Sequence, residues 1–256
     1  MRRFIRFLVR KIPRPVLIRF SYVFRWLIVP FYRGNKYECP VCGGKFRKLL
    51  PYGNKGDDNR LCPQCLSLER HRLMWLYFKH ETSLFTEKQS LLHIAPEQPF
   101  LPRFKKLDNL DYTTGDLLSP IADVKMDIMD IPFEDNHFDV VICNHVLEHV
   151  ESDIKAMKEV LRVLKPGGWA ILQVPINYNN TETIEDLSIT DPKERERLFG
   201  QYDHVRWHGL DYGDRLRSAG FEVDENRFVD SFSDEEIERY RLRKNETIFV
   251  AKKSPH

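Results

Sequence analysis

The sequence predicts an α/β fold with a mostly parallel sheet, and three observations predict it. From residue 90 onward, short apolar runs alternate with stretches of helical periodicity. The run Phe138-Asp139-Val140-Val141-Ile142-Cys143-Asn144 has the β-branched character of a strand. The helical stretches stop at breakers, Pro166-Gly167-Gly168 in one case and Gly200 in another.

Taken in order, strands are expected over 90–95, 110–117, 122–128 and 138–144. A helix over 151–168 puts Ile154, Met157, Val160, Leu161 and Leu164 on one face. A buried strand follows over 169–175. The helix over 190–200 has Thr190 or Asp191 as cap, Pro192 in its first turn and Gly200 as terminator. A last helix is expected over 211–220, then strands over 221–228 and 246–253, which pair antiparallel at the sheet edge. No internal repeat is visible.

The chain of 256 residues is long enough for one main domain and a small accessory unit. Its 42% hydrophobic and 30% charged residues describe a globular protein, neither disordered nor membrane-spanning. The net charge of +2 is uneven. Residues 1–36 hold ten Lys/Arg and no Asp/Glu, which leaves 40 − 10 = 30 basic against 38 acidic residues, or −8, in the rest.

The apolar stretch over 16–31 is interrupted by Arg19 and Arg25 and is shorter than the roughly 20 residues of a spanning helix. Two readings stay open: an interfacial segment on an anionic membrane, with Trp26 and the phenylalanines inserted, or a helix packed on its own domain. A secretory signal fits poorly because arginines break the apolar region, while a mitochondrial transit peptide stays compatible. The expected location is cytoplasmic, with peripheral contact at the inner membrane face through residues 1–33. The expected division is a basic amphipathic segment over 1–36, a zinc ribbon over 37–68, a linking helix over 69–89 and the main domain over 90–256.

Four of five cysteines form Cys39-Pro-Val-Cys42 and Cys62-Pro-Gln-Cys65, nineteen residues apart. That spacing suits a four-thiolate structural zinc site with no open coordination position. A disulfide pair or a redox motif are the alternatives. The intervening loop has few apolar residues, so metal is expected to hold it. Cys143 is the remaining thiol.

The motif His145-x-x-Glu148-His149 matches the pattern of one class of zinc peptidases. Here it follows directly on a buried strand and no third ligand motif follows it. Glu148 and His149 are therefore read as a pair bracing the turn into the next helix.

Residues 124–150 and 160–175, "VKMDIMDIPFEDNHFDVVICNHVLEHV" and "VLRVLKPGGWAILQVP", together resemble the central motifs of class I S-adenosylmethionine-dependent methyltransferases of the type 11 group. The resemblance covers about residues 90–253. It implies a Rossmann-like seven-stranded sheet with S-adenosyl-L-methionine at the carboxyl ends of the strands. It also implies that Asp116, with Leu117 beside it, binds the ribose hydroxyls, and that Asp127 meets the adenine amino group with Ile128 against the ring. Asn144 and His145 then lie beside the methionine part.

One element departs from the family. Its first strand should end in an acid and a glycine-rich loop, but this chain has His93-Ile94-Ala95-Pro96-Glu97-Gln98-Pro99. Ala95 keeps the first small residue, and His93, Ala95 and Glu97 are the expected cofactor contacts here, Glu97 as partner of the cofactor's ammonium.

Candidate catalytic residues are His145 and, in the segment 201–212, His204 and Arg206. His204, Arg206 and His208 alternate, so an extended segment puts them on one face, with Trp207 on the other. Arg206 suits a carboxylate or phosphate. Three function classes are compatible: a small-molecule or glycan methyltransferase, an RNA methyltransferase using the zinc ribbon and the basic amino terminus with Lys45, Arg47 and Lys48, and a non-catalytic binding protein that kept the fold.

Overall fold

Strand-forming runs and cysteine turns divide the molecule between them. The computed structural model describes Arg25, residues 27–53 and residues 57–256. Most of the basic amino-terminal segment expected above, Trp26 included, lies outside the described residues. Two compact units are formed. One takes the described residues up to Thr82 with Gln98–Pro102 and Val229–Glu246; the other takes Ser83–Glu97, Arg103–Phe228 and Thr247–His256.

In the first unit, β1 (Arg33–Glu38) pairs antiparallel with β2 (Lys45–Phe46), and β3 (Leu50–Tyr52) with β4 (Asp57–Leu61). The two Cys-Pro-x-Cys turns are built alike. Gly43 donates to Cys39 O at 2.8 Å and Leu66 to Cys62 O at 2.9 Å. Each of these residues follows the second cysteine of its turn and has positive φ, +67° and +62°. Leucine at such a position is strained where glycine is not.

The helix Glu69–Glu81 buries Leu73, Met74 and Phe78, and Tyr37, Phe46 and Leu49 are buried as well. The ribbon thus has more apolar interior than its loop alone suggests. Arg72 is fully buried, and its guanidinium donates to the carbonyls of Arg60, Ser67, Tyr240 and Arg241. With the Arg239–Glu38 and Arg241–Asn59 contacts, it ties the excursion Val229–Glu246, between the last two strands of the main sheet, into this unit.

The second unit is built on a seven-stranded sheet. Its strands are β5 (Gln89–Ile94), β6 (Leu110–Asp116), β7 (Val124–Lys125), β8 (Phe138–Asn144), β9 (Leu164–Gln173), β12 (Glu222–Asn226) and β13 (Ile248–Lys252). The order is β12-β13-β9-β8-β5-β6-β7. β13 runs antiparallel to both neighbours and all other pairs are parallel. This is the Rossmann-like methyltransferase sheet, with the expected antiparallel pair at one edge. β8 is covered on both faces, which is why its apolar run is nearly continuous.

The helix Asp153–Val163 is capped by Ser152, whose side chain accepts from Lys155 N, and buries Ala156, Met157, Val160 and Val163. It stops earlier than its periodicity suggests. Lys165 precedes Pro166 and is thereby steered away from helical geometry, so the chain turns extended at Leu164 and the Pro-Gly-Gly enters β9. A Cβ on Gly168 would lie 2.9 Å from Asp139 O, so glycine is needed for the close approach of β9 to β8. β7 is shorter than expected, because the chain turns at 127–130, where Asp127 Oδ1 accepts from Met129 N. The segment after β9 carries β10 (Ile184–Glu185) and β11 (Arg206–Trp207), an antiparallel pair outside the main sheet.

Candidate functional site

The parallel strands β5, β6, β8 and β9 point one way, so their carboxyl ends form one rim. The chain leaves β5 toward β6 on one side and returns to β8 on the other, and ligands of open α/β sheets bind at such a reversal. Across this point Asn144 Nδ2 donates to Glu97 Oε2 at 2.6 Å. Asn144 is buried, and its Oδ1 has no hydrogen-bond partner among the described residues. A buried amide oxygen without a partner is costly, and a donor on a ligand would remove that cost.

Two backbone positions shape the crevice. Ala95 and His145, each just beyond its strand end, have φ of +50° and +56°. Both are in the left-handed region, which L residues occupy at a cost of about 1–3 kcal/mol and which recurs at functional sites. Ala95 thus takes the backbone conformation that the missing glycine would supply. His93 is fully buried, with Nδ1 2.9 Å from the Tyr112 hydroxyl and Nε2 3.9 Å from Glu97.

Asp116, at the end of β6, accepts from Leu118 N and Ser119 N on Oδ1 alone, which leaves Oδ2 for the outside. Leu117 beside it is half exposed and offers an apolar surface. Asp127 lies beyond β7, and Ile128 is nearly all buried in the core cluster, which leaves little of it for a ligand ring.

The turn after β8 holds a second group. His145 Nδ1 lies 3.1 Å from Glu148 Oε1, and Glu148 is 1% exposed. Burial favours its neutral form, but the hydrogen bond from His145 outweighs this and, with His149 close by, holds the carboxyl below its usual range. An imidazole with Nδ1–H held by a carboxylate has its Nε2 lone pair free to take a proton. His204 comes to the same place from the segment before β11, its ring 4.7 Å from that of His149 and nearly perpendicular. Burial pushes its imidazole pKa down. The sequence pattern showed the first two residues; only tertiary folding adds the third.

His204, Arg206 and His208 are all buried and Trp207 is partly exposed, but Val205 is buried as well, so burial does not follow a simple alternation along the segment. The structure gives Arg206 a use other than acceptor binding. Its Nη1 donates to the carbonyls of Leu147 and Val150, Nη2 to that of Glu151, and Nε to Glu185. Fully buried and so engaged, the guanidinium fastens β11 to the turn carrying Glu148 and His149. Beneath it, buried Asp153 accepts from Arg215 at 2.8 and 2.9 Å and lies 3.2 Å from His208 Nε2. Sequence reading did not pick out Asp153. Phe138-Asp139 and Leu164-Lys165-Pro166-Gly167-Gly168 meet at the opposite end of the sheet, where Lys165 Nζ donates to Asp139 at 2.8 Å and Ser90 donates to the same oxygen.

In the first unit, Cys39, Cys42, Cys62 and Cys65 converge, with all four sulfurs within 4.8 Å of one another. Cys39 and Cys65 are 3.5 Å apart and Cys42 and Cys62 3.7 Å. Disulfides would be at about 2.05 Å. Four thiolates on a tetrahedral zinc, at about 2.3 Å each, lie about 3.8 Å apart, and the observed sulfur separations fit that set. Cys143 is apart from them, and burial pushes its thiol pKa up, as in an inert core residue.

The seven-stranded sheet has the Rossmann-like fold of class I methyltransferases. Residues 91–172 match the family model Methyltransf_11, described as a methyltransferase domain. Demethylmenaquinone methyltransferase of Staphylococcus carnosus is 46% identical over 54 residues, 21% of this chain and 22% of that protein. Its counterpart in Staphylococcus aureus strain Newman is 49% identical over 45 residues, 18% and 19% of the two chains. The chain thus aligns with about a fifth of the length of these curated relatives. Among solved structures, the 4+2 cyclase SpnF is similar with a TM-score of 0.51 at 18% identity, over 84% of this chain and 91% of that one. That likeness concerns the fold, which hosts more than one reaction.

Proposed function

We propose that this protein is an S-adenosylmethionine-dependent methyltransferase acting on a small-molecule or glycan acceptor, with a structural zinc in its four-cysteine set. The observation that carries the reading is the gathering of Glu97, Asp116, Asn144 and His145 on one rim of the sheet, at the point where strand order reverses. Bound S-adenosylmethionine supplies an electrophilic methyl group on a sulfonium sulfur.

The residues divide the remaining work. Asp116 Oδ2 accepts from the ribose hydroxyls, a pair that one carboxylate can satisfy. Asp127 meets the adenine amino group, and Glu97 pairs with the ammonium in place of the family's acid. His145 takes the acceptor's proton at Nε2, with Glu148 holding its Nδ1–H. Positioning of the nucleophile in line with the methyl group supplies the larger part of the rate. The test is calorimetric titration of the zinc-loaded protein with S-adenosylhomocysteine, repeated on Asp116→Ala. Micromolar binding, lost in the variant, is expected; a folded wild type that does not bind overturns the reading.

Peripheral membrane contact through residues 1–33 is part of the proposal. It is supported by the basic charge of that segment and by the exposure of Leu27 and Phe31.

A further inference from the structure

We propose that Glu148, His149 and His204 form a second metal site, for a divalent first-row transition metal, distinct from the four-cysteine set. Each residue offers one ligand atom, and the three atoms lie within 4.8 Å of one another. Donors on a tetrahedral zinc at about 2.1 Å stand about 3.4 Å apart, so a shift of no more than about 1.4 Å closes the set.

Three independent features point to a metal. Glu148 is 1% exposed, and while its Oε1 is held by His145, its Oε2 is buried without a hydrogen-bond partner. An orphaned buried carboxylate oxygen calls for a cation or a donor, and no protein donor is supplied.

The hydrogen bonds of both histidines leave one ring nitrogen of each available to a metal. His204 Nδ1 is 2.9 Å from Phe199 O, and His149 Nδ1 is 3.3 Å from Asp203 O. A carbonyl oxygen only accepts, so Nδ1 carries the proton in both rings, and both Nε2 atoms present lone pairs. Such a bond from the second ring nitrogen to a carbonyl is the usual outer support of a ligating histidine.

The third feature is rigidity. Arg206 ties the turn at 147–151 to β11, next to His204, and Val205 N donates to Glu148 O at 3.0 Å. The ligands are thus preset across two segments distant in sequence. Two imidazoles and one carboxylate suit zinc, cobalt or iron(II) better than magnesium or calcium, which favour all-oxygen shells. Three protein ligands leave at least one position open for water or an oxygen of a bound ligand.

The test uses the full chain with zinc already in the four-cysteine set, titrated with cobalt(II) and read by visible absorption and by metal content after gel filtration. One further equivalent is expected, with d–d bands and no added thiolate charge-transfer band. His149→Ala, Glu148→Gln and His204→Ala should each weaken it by roughly tenfold or more. His149 is partly exposed, so its variant carries the comparison if the buried ones fail to fold by circular dichroism. A wild type that takes up no further cobalt, or a folded His149→Ala with unchanged affinity, overturns the proposal. The readout is metal uptake and does not depend on methyl transfer.

Discussion

Asn144 Nδ2 donates to Glu97 Oε2 across 2.6 Å, and the bond ties the carboxyl end of β8 to the loop that follows β5. That loop lacks the glycines that the methyltransferase resemblance implies, yet it has a left-handed residue, Ala95, and an acid, Glu97. In Glu97→Gln the side chain keeps its shape and loses its charge. Affinity for S-adenosylhomocysteine is expected to fall roughly tenfold, about 1.4 kcal/mol. Calorimetry reads this directly, and unchanged affinity would remove Glu97 from the ammonium site.

Histidine 145 is expected to matter for turnover and little for cofactor binding. His145→Ala leaves Glu97, Asp116 and Asn144 in place, while the proton acceptor is lost. A general base contributes about 10²–10⁴-fold. Once an acceptor is found, kcat should fall within that range with S-adenosylhomocysteine affinity within about twofold of wild type. A matching loss of both would make His145 a binding residue instead.

Asp153 should govern acid stability. Burial would raise its pKa, but hydrogen bonds from His208 and Arg215 and the nearby Arg206 charge outweigh it, and the carboxyl is held far below its ordinary value. A group so depressed contributes stability at all pH above its unfolded value, about 3.9, and loses it as pH falls through the folded one. Urea unfolding of wild type should therefore weaken below about pH 4 by more than that of Asp153→Asn. At neutral pH Asp153→Ala removes the buried carboxylate of Arg215 and leaves Glu185 as the remaining acid beside Arg206 and Arg215, so the loss should stay below the about 3–5 kcal/mol of a buried charge left wholly unpaired. A variant as stable as wild type would show that the cluster relaxes.

Zinc removal should act on the first unit. Structural zinc in isolated fingers contributes about 10–16 kcal/mol of apparent binding energy, as much as a whole domain's usual stability of about 5–15 kcal/mol. Even with the apolar side chains buried beside it, the Cys39→Ser protein is expected to hold no zinc in this set and to melt earlier. Metal analysis and thermal circular dichroism check both. An unchanged melting temperature would mean that Phe46, Leu49 and the helix Glu69–Glu81 suffice.

Much of the main sheet was legible in the sequence, because strands covered on both faces carry their signal in composition alone. Phe138–Asn144 was bounded to the residue, and Gln89–Ile94 and Leu110–Asp116 to within one. Boundaries set by local competition were less visible. Pro166 shortened one helix, and the Asp127 turn cut one strand to Val124–Lys125. The cysteine set was legible because its members lie in two short turns. The grouping of Glu148 and His149 with His204 was not, since nothing local couples a turn to a segment on the far side of two strands. Arg206 misled for a related reason: an arginine among histidines reads as a ligand for anions, whereas backbone carbonyls hold this one.

The amino-terminal segment gives the last prediction. Leu27 and Phe31 are 54% and 72% exposed, beside a run of basic residues. Among the described residues no helix is long and apolar enough to cross a membrane. Exposed apolar side chains with neighbouring arginines and lysines favour the interface of anionic lipid, where each basic residue near the surface adds about 1 kcal/mol. Full-length protein is therefore expected to co-sediment with phosphatidylserine-containing vesicles and much less with neutral ones. Deleting residues 1–33 should abolish the difference. Raised salt should weaken binding without ending it if Leu27 and Phe31 insert, because screening acts on the charges and leaves apolar burial intact. Complete release by salt would leave the arginines and lysines as the whole attachment, and binding that survives the deletion would refute the assignment.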